Sequence, residues 1–235
     1  ITMKYIEDQN LTELSSLITG LEIGDKIIES RLESFTCKMA GEDKKLSKKL
    51  EKEMTQLSMS PGTTTTNIGP LSDHSVRRIL IDLIITMNAH FPDYDFSAAS
   101  VDHFQKQKSV SKVMNFVNTK LADLSRLLQA NFFEHLWSVV NDCIKLRQCE
   151  VYSFLPDVET GDPFSDGCMW SFNFFFYNPN LKKMLYFTCL ARSKFYPIHG
   201  LDSSDYYCGE SEDYDDDISN ESKLKMSEDE MQMEL

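Results

Sequence analysis

Between Met169 and Cys189 the chain reads MWSFNFFFYNPNLKKMLYFTC. In an extended strand alternate side chains point to opposite faces, so Trp170, Phe172, Phe174 and Phe176 share one side while Ser171, Asn173, Phe175 and Tyr177 share the other. Asn178, Pro179 and Asn180 carry turn chemistry, and Leu181 to Cys189 returns as a second strand with Leu185 and Phe187 set against Met184, Tyr186 and Thr188. The expected unit is a hairpin buried on at least one face. Each aromatic side chain buries about 150–250 Å², so a matching apolar layer has to come from helices elsewhere in the chain.

Those helices are legible. A first, short one carries Leu11, Leu14, Leu17 and Ile18 on one side, with Asn10 as its expected N-cap and Gly20 placed to end it. Lys44 to Leu57 shows a narrow stripe of Leu46, Leu50, Met54 and Leu57 among lysines and glutamates, the pattern of a surface helix. After Pro70, with Ser72 as the expected cap, Val76, Ile79, Leu80, Leu83, Ile84 and Met87 repeat at helical spacing as far as His90, and Pro92 disfavours continuation. Two more helical patterns cover about 109–128 and 133–146. Lys26 to Lys38 reads as a strand whose alternation slips near Ser34, suggesting a bulge or an edge, and Cys149 to Leu155 as a short strand. Three strands in succession at the end pair most simply as an antiparallel meander that Lys26 to Lys38 joins at its edge. The predicted class is therefore α+β: a mostly antiparallel sheet with a C-terminal aromatic hairpin packed against amphipathic helices, in one globular domain.

That domain is expected to comprise residues 3–57 and 70–198, interrupted by a flexible Ser/Thr-rich linker at 58–69 (SMSPGTTTTNIG) and followed by a disordered acidic tail at 199–235. Ile1 and Thr2 precede Met3, the expected natural start. The formal charge of −13 is concentrated in the tail, where thirteen Asp or Glu face only Lys223 and Lys225, leaving −2 for the rest. A nearly neutral body argues against tight direct DNA binding, which needs a clustered basic surface. No apolar run approaches the ~20 residues of a membrane span. The six cysteines stand singly, without a CxxC pair, and fit reduced thiols better than a disulfide framework.

No phosphate-cradle, dinucleotide, zinc-protease or nucleophile-elbow motif is present. The five histidines share no ligand spacing, and Asp93 with Asp95, or Asp162 with Asp166, lie in turns that aspartate favours for backbone reasons. The expectation is no enzyme, no metal and no cofactor. Exposed aromatics on a sheet can stack RNA bases, but the basic and glycine flanks of that signature are missing, and an aromatic face opposite three amphipathic helices reads as core.

Three segments, Ser34 to Lys44 (SFTCKMAGEDK), Pro92 to Ser97 (PDYDFS) and Trp170 to Asn178 (WSFNFFFYN), resemble in order the three signature boxes of the Maf-type repressors of RNA polymerase III. PLSD at Pro70, CEVYS at Cys149, DPF at Asp162 and LKK at Leu181 lie in the matching order, and the likeness covers about Met3 to Arg192. Leu155 departs from the family's usual polar residue, and Asn180 and Leu190 from its usual basic ones. The resemblance implies a non-enzymatic, monomeric inhibitor that binds RNA polymerase III near its clamp and the cleft that admits DNA. It would prevent recruitment by the TATA-binding-protein-containing initiation factor and so repress synthesis of transfer RNA and 5S RNA. It also implies control by protein kinases and phosphatases in response to nutrients and stress, with Ser58, Ser60 and Thr63 as candidate phosphorylation sites, and shuttling between nucleus and cytoplasm. Lys38, Glu42, Asp43, Lys44, Asp93, Asp95, Lys182 and Lys183 are the expected partner contacts. Cys37, Tyr94, Phe96, Trp170, Phe172 and Phe174 are the expected structural signature. The competing readings are an RNA-binding α+β module acting on transfer RNA, and a thiol or metal enzyme built on Cys37.

Overall fold

The computed structural model describes residues 4–38, 41–60, 65–128, 130–156, 163–164 and 167–196. In chain order they form β1 (Tyr5–Ile6), α1 (Gln9–Ile18), β2 (Glu22–Ile23), β3 (Lys26–Thr36), α2 (Glu42–Ser58), α3 (His74–His90), β4 (Phe104–Lys106), α4 (Val110–Lys120), α5 (Phe132–Ile144), β5 (Glu150–Phe154), β6 (Cys168–Asn178) and β7 (Lys183–Ser193), with short 3-10 turns between. The strands make one antiparallel sheet in the order β1-β3-β7-β6-β5-β4, and β2 also pairs with β3.

Both faces of this sheet are covered. On one, Phe172, Phe174, Phe176, Leu185 and Phe187 pack with Leu14 of α1, Val117 of α4 and Trp137 of α5. On the other, Phe175, Met184, Tyr186 and Leu190 pack with Leu50 of α2 and with Leu80, Leu83 and Ile84 of α3. The expected aromatic hairpin is therefore present, but its helices divide between two faces. A strand buried on both sides reads as a continuous apolar run, which is why FNFFFY has so little polar alternation. Phe175 and Tyr186 stack at a centroid distance of 4.4 Å with an interplanar angle of 18°. Buried Asn173 Oδ1 accepts hydrogen bonds from Tyr186 Oη and Thr188 Oγ1, each 2.8 Å long.

Double coverage also corrects the reading of β3. Its register with β7 runs unbroken from Lys26↔Ser193 to Thr36↔Lys183, so the slip at Ser34 is not a bulge. Ser34 and Phe35 are both buried because each face has its own core; Ser34 Oγ donates to Ile6 O at 3.1 Å. β3 is flanked on both sides rather than terminal. The hairpin is longer than predicted, since β7 continues beyond Cys189 to Ser193.

Three helix termini differ from expectation. Asp8, not Asn10, caps α1, its Oδ1 accepting from the amides of Asn10 at 3.1 Å and Leu11 at 3.4 Å. Asp73, not Ser72, caps α3 through the Ser75 amide at 2.8 Å. A carboxylate two residues ahead reaches these otherwise unbonded donors. The pattern over 109–128 stops being α-helical at Lys120, yet Leu121 and Leu124 remain buried through an irregular turn that preserves their spacing. β1, β2 and β4 are two or three residues long and leave too little alternation to be recognised. No described helix is long and apolar enough to cross a membrane.

Candidate partner-binding cleft

The end of β3 and the turn between β6 and β7 are one place in the structure. The Cys37 amide donates to Lys182 O at 2.9 Å. The turn is fixed by Asn178, whose Oδ1 accepts from the amides of Asn180 at 3.0 Å and Leu181 at 3.1 Å and whose Nδ2 donates to Ile144 O at 2.8 Å. Lys182 is thereby held at φ 50°, a left-handed conformation that costs a side-chain-bearing residue about 1–2 kcal/mol. Beside this junction α2 presents Lys44, Ser47 and Lys48, neighbours on one helical face, while Leu50 and Met54 turn inward. α3 contributes Arg78 and, one turn on, Asp82.

Together with Cys37, Lys38, Tyr177, Pro179 and Lys182, these side chains enclose a cleft of about 530 Å³. Five of its lining residues are cations: Lys38, Lys44, Lys48, Arg78 and Lys182. Within the described residues no ion pair engages any of the four lysines. Arg78 Nε lies 3.5 Å from Asp82 Oδ2, and that carboxylate is 3% exposed. Burial raises the Asp82 carboxyl to about 6 despite the Arg78 charge that pulls it down, and its Oδ1 has no hydrogen-bond partner among the described residues. The cleft thus sets one buried acid, paired with Arg78, beside four lysines that have no ion pair among the described residues. Such a cluster attracts anionic groups, which supply the counter-charges it lacks.

The site has no evident nucleophile. Burial pushes the Cys37 thiol up to about 12, with the nearby Asp82 charge adding to the effect; only the thiolate is reactive. Among the described residues no group of three His, Cys, Asp or Glu side chains could hold a metal ion. The aromatic face of β6 offers no stacking platform, for Phe172 and Phe174 are buried beneath helices.

The expected contact residues separate. Lys38, Lys44 and Lys182 converge on the cleft. Glu42 is exposed outside it and pairs with Lys45 at 3.0 Å. Asp43 is 4% exposed in the first turn of α2, a corrected assignment: it lies in the packing rather than on a contact surface. Lys183 is likewise directed elsewhere, donating from Nζ to Cys143 O at 3.2 Å. Asp93 and Tyr94 line a second hollow of about 310 Å³ with Glu29, Arg31 and Arg192. Asp95 caps the turn at Phe96, and the bond from Ser97 holds its carboxyl below the usual range. Tyr94 is exposed, whereas Phe96 is buried and Trp170 half-buried over Lys120 Nζ, 5.5 Å from its ring centre. Ser58 closes α2 with Oγ donating to Thr55 O at 2.7 Å, and Ser60 is exposed. Thr63, Asp162, Asp166 and the tail 199–235 lie outside the described residues.

Sequence reasoning missed Ser47, Lys48 and Arg78. Lys44 and Lys48 stand four apart, as do Arg78 and Asp82, a helical spacing that put each pair on one face. What the spacing leaves out is that the two helices face the same hairpin turn.

Residues 28–188 match the family described as the Maf1 regulator. The chain is 33% identical over 240 residues to a Dictyostelium discoideum protein named repressor of RNA polymerase III transcription, covering 82% of this chain and 86% of that one. A Schizosaccharomyces pombe protein named repressor of RNA polymerase III transcription maf1 is 32% identical over 212 residues, covering 85% and 83%. The crystal structure of citrus MAF1 superimposes with a TM-score of 0.63 at 31% identity, over 78% of this chain and 99% of that one. With the family's span running from β3 to β7 and so enclosing both walls of the cleft, the chain belongs to the Maf1 regulators.

Proposed function

We propose that this protein represses transcription by RNA polymerase III, as a non-enzymatic regulator that docks on the polymerase through the cleft bounded by Lys38, Lys44 and Lys182. The observation that carries the reading is the likeness, over four-fifths of the chain, to proteins named for that repression. Docking near the clamp and the cleft that admits DNA would obstruct recruitment by the TATA-binding-protein-containing initiation factor. The near-neutral body is consistent with acting on the enzyme rather than on DNA.

Residues 58–69 are the proposed regulated connection. Ser60 is exposed and followed by Pro61, and a phosphate there or on Ser58 or Thr63 would add a charge of about −1.5 to −2 close to α2. Kinases acting in good growth conditions would hold the protein inactive, and phosphatases under starvation or stress would release it to act in the nucleus.

The test is reconstituted transcription of a transfer RNA gene by purified polymerase and initiation factors, with the full chain free of phosphate. Added protein should suppress transcripts, and Lys38→Glu should weaken both suppression and polymerase capture in a pull-down while its thermal midpoint stays within about 2 °C of the parent. Undiminished transcription in the presence of excess parent protein refutes the reading. Tight, salt-sensitive binding of transfer RNA itself would instead favour a direct RNA-binding module, which the buried aromatic face does not support.

A further inference from the structure

The basic cleft does not end at Arg78. A second depression of about 420 Å³ shares Ser47, Lys48 and Arg78 with it and continues past Glu51 and Lys52 to Met59. The two follow α2 from Lys44 to Met59, which at 1.5 Å per residue is a path of about 22 Å. An extended polypeptide advances about 3.4 Å per residue, so about six or seven residues fill it.

The charge along this path is graded. One end carries the cations of the cleft, of which four lysines have no described partner. At the other end Glu51 is already engaged by Arg77 Nε at 2.7 Å and His74 Nδ1 at 3.3 Å, Lys52 is the one cation added among the described residues beyond those of the cleft and the Glu51 cluster, and Met59, 79% exposed, offers an apolar surface. A nucleic-acid strand places a phosphate on every residue and would set one against Glu51. A polypeptide can place carboxylates at one end and uncharged or apolar residues at the other. A compact polyphosphate would use the cleft alone and leave the far half empty.

We infer that the continuous groove along α2 binds an extended segment of a protein partner, six or seven residues long, with Asp or Glu clustered at the end that meets Lys38 and Lys182 and neutral or apolar residues toward Met59. This deepens the reading of the cleft as the polymerase contact, and rests on it. The carboxylates supply the missing counter-ions, and the uncharged end avoids Glu51.

The test is fluorescence anisotropy with the full chain and a labelled peptide of three glutamates followed by four neutral residues ending in leucine. An octauridylate with the same label and unlabelled inositol hexakisphosphate serve as competing chemistries. The peptide should bind, more weakly as salt rises from 50 to 200 mM. Lys38→Glu and Lys182→Glu should each weaken it about tenfold, with Lys44→Glu as an independent third change, while Lys112→Glu on the other face of the sheet should leave it unchanged. Reversing the peptide so that the glutamates face Glu51 is not possible without inverting the chain, so a scrambled peptide with glutamates at both ends should bind several-fold less well. The inference falls if the peptide does not bind, if the cleft variants bind it as well as the parent, or if the octauridylate or inositol hexakisphosphate binds tightly at the same lysines while the peptide does not. Because the titration contains no polymerase, the two readings fail separately. Polymerase capture without peptide binding sinks only this inference, whereas peptide binding without polymerase capture sinks the assignment of the partner.

Discussion

Replacing Asp82 with Asn should stabilise the protein at neutral pH and do so in a pH-dependent way. The Asp82 carboxyl is raised from 3.8 to about 6, chiefly because it is buried. An acid whose folded value lies above its unfolded value holds its proton more tightly in the native state, so stability is greatest below about pH 3.8 and declines as pH rises through about 6. Roughly two pK units at about 1.4 kcal/mol each set an upper bound near 3 kcal/mol for the cost above that window. Asn keeps the shape, and the attraction of Arg78 is already contained in that net shift, so the bound is reduced only by native-state relaxation and water access around the charge. The expected net gain is about 1–2 kcal/mol at pH 7.5, falling toward zero or slightly below it at pH 4. In a domain of this size that is about 2–8 °C in thermal midpoint. Urea unfolding of parent and variant at pH 4, 5, 6 and 7.5 measures it. A difference that does not change with pH, or a variant less stable than the parent at pH 7.5, refutes the claim that the floor of the cleft stores an unrelieved charge.

Other outcomes follow from the same packing. The buried His90 ring is held below the usual imidazole range by desolvation, against the opposing pull of Glu33 Oε2, 2.5 Å from Nδ1. Since its folded value is lowered, stability should be lost as pH falls below about 6.5; in an Asp82→Asn background, free of the opposite trend, the thermal midpoint should drop between pH 7 and 5, and His90→Gln should flatten that drop. Phe175→Ala removes a fully buried ring stacked on Tyr186 and should cost about 3–5 kcal/mol in urea unfolding. Asp8→Ala should cost about 1 kcal/mol by uncapping α1, a loss that Asp8→Asn should largely restore.

The hairpin, the α+β class and the principal helices were legible because periodicity reports directly on burial. Periodicity does not say which face of the sheet a helix takes, and α3 shows why: from Leu80 to Met87 it is buried all round, between the sheet and α2, so its apolar stripe points nowhere in particular. Asp43 illustrates the opposite failure. A charged residue after a Gly reads as a solvated turn, and only tertiary packing puts it inside. Lys38 and Lys44 belong to the first signature box and Lys182 to the LKK segment, but their convergence depends on the amide of Cys37 meeting the carbonyl of Lys182, a bond across 145 positions that no local pattern encodes. Lys182 itself carries no sequence sign of its left-handed backbone, which glycine or asparagine would have advertised.

The eleven-residue pairing of β3 with β7 has a consequence for fragments of this chain. A piece that starts at residue 65 would present the flank of β7 as a bare template of amides and carbonyls, studded with Leu, Tyr and Phe, of the kind that recruits further strands and precipitates. Supplying residues 4–60 as a separate peptide should fill that gap and return the piece to solution, much as a missing stave restores a cask.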